Sequence, residues 1–129
     1  MYSWVDHTSE VELAIEAGSE REVFEEAVAA LAELLGVSDG DEAERAVSVA
    51  APDRPALLAG WLEELVFLAE SEGFVGLVVA ELVLGDDGLR AVVRGVLGEP
   101  PPLVKAVTYH RLTFERRGGG YVANVVLDV

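Results

Sequence analysis

The sequence predicts an α+β fold, a single-domain sandwich of mainly antiparallel sheets with two helices. Three observations carry that expectation. Strict apolar alternation occurs near the start of the chain, two internal stretches repeat their apolar residues at helical spacing between caps, and the strands come in runs around the helices. The chain has 129 residues and is 51% hydrophobic, enough for one sizeable core.

The elements follow in order. In the opening stretch WVDHTSEVELAIE, Val11, Leu13 and Ile15 fall on one face of a strand and Glu10, Glu12 and Glu16 on the other. A polar knot of Asp6, His7, Thr8, Ser9 and Glu10 stands directly before that alternation. Gly18 turns the chain, and Ser19-Glu20-Arg21-Glu22 reads as a capping box in which Ser19 is the N-cap and Glu22 reaches back to its N–H. Val23, Phe24, Ala27, Val28, Leu31, Leu34 and Leu35 then mark a helix that Gly36 stops. Val37 to Glu44 reads as a polar loop, and Arg45 to Ala50 as a short strand.

Asp53 is a second N-cap, followed by Leu57, Leu58, Trp61, Leu62, Leu65, Val66 and Leu68, with Gly73 as the stop. Glu63, Glu64 and Glu70 give this helix an acidic outer face. From Phe74 the pattern turns to β, with Leu77 to Leu84 and Leu89 to Leu97 forming a hairpin across Gly85-Asp86-Asp87-Gly88. Gly98 to Pro102 is a loop, because successive prolines cannot donate to a ladder. Strands from about Val104 to Arg116 and from Tyr121 to the end, joined across Arg117 to Gly120, complete the chain.

Composition narrows the function. No cysteine is present, which excludes disulfides, thiolate metal sites and thiol nucleophiles. The 24 acidic and 9 basic residues give a net charge of −15, and Lys105 is the sole lysine. Such a surface repels a polyphosphate backbone, so tight direct nucleic-acid binding is not expected. Composition alone favours solubility as the reason for the charge, with a basic partner protein or a bound cation as the functional reading. No apolar run is long enough for a membrane span, and Met1-Tyr2-Ser3-Trp4 lacks the basic and apolar regions of a signal peptide, so a cytoplasmic protein is expected.

Chemistry is expected in two places. If the first and last strands are neighbours, Glu10 or Asp6 meets Asp128 and the α-carboxylate of Val129, and clustered carboxylates call for a hard divalent cation. Ca²⁺ suits such an irregular oxygen set best, with Mg²⁺ or Mn²⁺ as alternatives. Acidic residues are so abundant here that spacing alone favours a plain capping and solvated role for them. In Val104-Lys105-Ala106-Val107-Thr108-Tyr109-His110, alternation puts Lys105 and Tyr109 on one face and His110 on the other with Leu112 and Phe114, which makes His110 a core histidine. No phosphate-loop, dinucleotide, nucleophile-elbow or zinc-protease motif occurs, and no catalytic residue is assigned.

Five segments, in order, resemble the archease family almost from end to end. Val5 to Val11 resembles its DHTAD-V signature, with Ser9 for Ala and Glu10 for Asp, and Glu22 to Ala27 resembles its first helix. Leu57 to Leu68 is similar to its LL-x-x-WLnELLfL helix, Val104 to His110 to its VKAVTYH, and Asp128-Val129 to its terminal D-[IV]. The resemblance implies an α+β sandwich without catalytic activity of its own. It implies an activator of the RtcB-type ligase of tRNA splicing and RNA repair, which promotes guanylylation of the ligase by GTP and multiple turnover. It also implies a metal site at Glu10, Asp128 and Val129. Beside that site, His7, Lys105 and Tyr109 are expected to face the partner or its nucleotide. Two other classes compete on the residues alone: a stand-alone metal-dependent phosphoesterase built on the same carboxylates, and a chaperone-like binding module with an exposed apolar patch.

Overall fold

A computed structural model describes residues 1–7 and 9–129, His7 by its backbone alone. Seven strands and two helices run, among the described residues, in the order β1 (Tyr2–His7), β2 (Glu10–Ala17), α1 (Glu20–Leu35), β3 (Asp41–Ala50), α2 (Arg54–Glu72), β4 (Phe74–Gly85), β5 (Gly88–Leu97), β6 (Ala106–Arg117) and β7 (Gly120–Asp128). They form a four-stranded sheet, β1-β2-β7-β6, and a three-stranded sheet, β3-β5-β4, with every pairing antiparallel. Each helix packs against both sheets, so a single core joins them. No helix is long and apolar enough to cross a membrane.

The caps form where the sequence puts them. Ser19 Oγ accepts the Glu22 N–H at 3.2 Å, while the Glu22 carboxylate accepts from Gly18 at 3.3 Å rather than from Ser19. Asp53 Oδ1 accepts the Ala56 N–H at 2.9 Å and Pro55 sits in the first turn, where its missing N–H costs nothing. Gly36 and Gly73 end the helices in the left-handed conformation. In the core, Trp61 is fully buried, its ring edge-on to Phe24, and its Nε1–H donates to the Phe24 carbonyl at 3.1 Å. The β6–β7 turn is a two-residue hairpin loop in which Gly118 and Gly119 both have positive φ, the geometry that glycine supplies without strain.

Three elements differ from the sequence expectation. Tyr2–His7 is a strand, where the sequence marks only a polar knot from Asp6 onward: Tyr2 and Trp4 lie opposite Ile15 and Leu13 and pack against the core. β3 begins at Asp41, because the acidic run Asp41–Glu44 pairs with β5 along the sheet's edge, where outward side chains need not be apolar. β6 begins at Ala106 and is interrupted between Thr108 and Thr113, where its register against β7 slips by three residues. Arg111 adopts a positive φ of 56° inside that bulge. Alternation therefore fails across Tyr109–Leu112, and His110 is exposed rather than part of the core.

Candidate functional site

The two ends of the four-stranded sheet's central pair meet in a tip. β2 starts at Glu10 and β7 ends at Asp128, and the antiparallel register places these two residues directly opposite each other. The Val129 N–H donates to the Ser9 carbonyl at 3.0 Å, so Ser9 and Val129 form a hydrogen-bonded pair and Glu10 and Asp128 the adjacent non-hydrogen-bonded one. In such a pair the Cα atoms approach to about 4.5 Å and the side chains leave the sheet on the same side. Both residues are half-buried, and neither carboxylate has a hydrogen-bond or ion-pair partner among the described residues.

The sole lysine joins them from the other flank. The Lys105 N–H donates to the Asp128 carbonyl at 2.8 Å just before β6 begins, and Ala106 pairs with Asp128. The Lys105 side chain is exposed and unpartnered among the described residues, free to reach over the tip or away from it. Asp6 does not belong to this group: it lies opposite Val11, and its exposed side chain leaves the other face of the sheet. His7 lies opposite Glu10 by register, but its side chain and Thr8 are outside the described residues. Tyr109 stands three residues along β6 from Ala106, in the bulge, and is 60% exposed.

Two half-buried, opposed and unpaired carboxylates are hard oxygen donors, the chemistry a cation such as Ca²⁺ takes. Among the described residues no group of three or more His, Cys, Asp or Glu side chains is placed to hold a metal, so the tip offers two side-chain donors and leaves further oxygens to the backbone, Val129 or water. Beyond the tip, Glu12 Oε1 meets the Arg111 guanidinium at 3.1 Å, and Asn124 Nδ2 donates to the Arg111 carbonyl at 3.1 Å. Those contacts tie the β6 bulge to β2 and β7. Sequence reasoning passed over this brace, because its only signal is a bulge that alternation does not announce.

With this geometry in place, comparison with known proteins decides the family. The model of the Archease protein family (MTH1598/TM1083) matches residues 2–129. The chain belongs to the archease family. It is 32% identical to the archease of Methanosarcina mazei, over 99% of this chain and 95% of that protein. It is 35% identical to the archease of Methanopyrus kandleri, over 97% and 96%. Its fold is similar to the solution structure of protein 1598 of Methanobacterium thermoautotrophicum, with a TM-score of 0.75 and 29% identity over 99% of this chain and 98% of that one. The crystal structure of an archease from Thermotoga maritima matches with a TM-score of 0.69 and 26% identity, over 100% and 98%. The archease α+β sandwich and the resemblance read from the five sequence segments thus agree over the full length.

Proposed function

We propose that this archease is a non-catalytic activator of an RtcB-type RNA-splicing and RNA-repair ligase, acting in the cytoplasm, with the Glu10–Asp128 tip as its working end. Family membership supports the class of function. The observation that carries the role of the tip is the β2–β7 register, which opposes two acids, while Asp128 is also tied to the only lysine.

In this reading Glu10 and Asp128, completed by an oxygen of Val129, hold a divalent cation, Ca²⁺ first and Mg²⁺ or Mn²⁺ second. The cation supplies a positive centre toward phosphate oxygens and relieves the repulsion between the opposed carboxylates. Glu10 carries one methylene more than aspartate, which sets its carboxylate outward by about 1.5 Å and favours the larger, more tolerant Ca²⁺. Lys105 stands at the rim, where a compact ammonium meets a phosphate or an acidic group of the ligase, and His7, opposite Glu10 by register, is proposed as a second partner-facing residue. The chain contributes charge and position at the ligase's nucleotide site, and the ligase performs guanylylation and ligation.

The test is GTP-dependent guanylylation and multiple-turnover ligation by the cognate ligase with and without this protein. Faster guanylylation and continued turnover in its presence support the reading. An unchanged time course with folded protein removes it.

A further inference from the structure

A second surface lies on the helix α2 side of β6. There a groove of about 560 Å³ runs between α2 and the bulge, bordered by Ala56, Gly60, Glu63, Glu64, Phe67 and Tyr109, and by the connection from β3 into α2. Its floor is low because Gly60 lets the helix approach β3 closely: a Cβ at that position would lie 2.7 Å from Val49 Cγ1. Its two rings are among the most exposed large side chains of the fold, Phe67 at 58% and Tyr109 at 60%. Among the described residues, neither Glu63 nor Glu64 has a hydrogen-bond or ion-pair partner and no lysine, arginine or histidine borders the groove.

We infer that this groove docks an arginine-bearing extended segment of a partner protein. Each property of the groove selects that chemistry. A purely apolar segment would bury Glu63 and Glu64 without compensation. A polyphosphate is repelled by them, and a hard metal ion gains nothing from aromatic rings. A guanidinium gains from both, pairing with a carboxylate while its plane lies over a ring. The net charge of −15 steers a basic segment toward the surface. The position is apt as well: Tyr109 is three residues from Ala106, which pairs with Asp128, so at about 3.3 Å per residue the groove lies within about 10 Å of the tip along β6. The inference rests on the activator reading only in taking the partner to be a protein, and its test contains no ligase.

The test is titration of isotopically labelled protein with an Arg-Gly-Arg-Gly-Arg peptide at physiological ionic strength, followed through the backbone amide signals. Saturable shifts are expected at residues 60–67 and at Tyr109. Phe67→Ala with Tyr109→Ala should weaken binding roughly tenfold, about what two exposed cation–π contacts are worth. Glu63→Gln with Glu64→Gln should weaken it by a similar factor. Asp39→Asn with Glu99→Gln, which removes equal charge from exposed positions that do not border the groove, should leave affinity within about twofold. Unsaturable shifts spread over the acidic surface, or an equal loss from the two charge-neutralising pairs, would overturn the inference. So would groove signals that change with protein concentration alone, since a second copy would then be the occupant. The substituted side chains are outside the core, and signal dispersion checks that each variant is folded.

Discussion

Glu10 and Asp128 face each other across β2 and β7 as a non-hydrogen-bonded pair, the closest side-chain approach an antiparallel ladder offers. The other acids of β2 are opposed by neutral residues, Glu12 by Val126 and Glu16 by Val122. Like charges placed opposite each other on a sheet destabilise it. The fold therefore retains a local repulsion at one position of this strand pair, at the end where both chains leave the sheet.

If a cation relieves that repulsion, stability responds to it. Asp128→Asn should raise the unfolding free energy in a chelator by about 0.5 kcal/mol, the scale of one cross-strand charge pair. Ca²⁺ should raise the melting temperature of the wild type and leave that of Asp128→Asn unmoved, reaching about 2.7 kcal/mol of stabilisation at a hundredfold excess over Kd. Calorimetry with and without Ca²⁺ checks both.

Trp61 joins the two helices in the core. Trp61→Ala removes a fully buried indole and should cost about 4 kcal/mol. Trp61→Phe keeps most of the volume but leaves the Phe24 carbonyl without the indole donor, and should cost about 2 kcal/mol. Urea unfolding followed by circular dichroism gives the order.

Backbone contact, not torsion, should dominate the glycine substitutions. A Cβ on Gly95 would lie 1.9 Å from the Val75 carbonyl oxygen, so β4 and β5 would have to part, at a cost of about 3 kcal/mol. Gly118→Ala meets nothing within contact range and should cost only its left-handed turn geometry, about 1 kcal/mol. Equilibrium unfolding of both variants tests the ranking.

Tyr2 makes stability fall at alkaline pH. Its hydroxyl donates to the Glu33 carboxylate, and ionisation would end that bond and place an anion beside Glu33 and Glu26; with partial burial, this pushes its pKa up from 10.0 to about 12. The folded state holds the proton more tightly than the unfolded chain, so the contribution is complete below pH 10 and disappears as pH rises toward 12. Tyr2→Phe should be less stable at neutral pH and should lack this alkaline loss. Urea midpoints measured across that window distinguish the two.

Both helices were legible because Ser19, Asp53, Gly36 and Gly73 mark their ends and the apolar spacing between is unbroken. β1 was not, because only Tyr2 and Trp4 carry its inward face and the polar residues after them dominate the local pattern. The acidic start of β3 was hidden because an edge strand draws its stability from the ladder rather than from apolar alternation. At the tip, the sequence brought Glu10 and Asp128 together through the premise that first and last strands are neighbours; β2 and β7 are adjacent. It grouped Asp6 with them, but the face of Asp6 is decided by the β1–β2 register, which no local pattern discloses. His110 was misplaced for a related reason: alternation holds only while the ladder is regular, and the β6 bulge interrupts it.

The account turns on the tip, and one comparison tests it most directly. Multiple-turnover ligation by the cognate ligase should be measured with the wild type, with Asp128→Ala and with Asp6→Ala, all verified as folded. The account predicts that wild type and Asp6→Ala stimulate equally, because Asp6 leaves the opposite face of the sheet, whereas Asp128→Ala loses stimulation. Full stimulation by Asp128→Ala would contradict it.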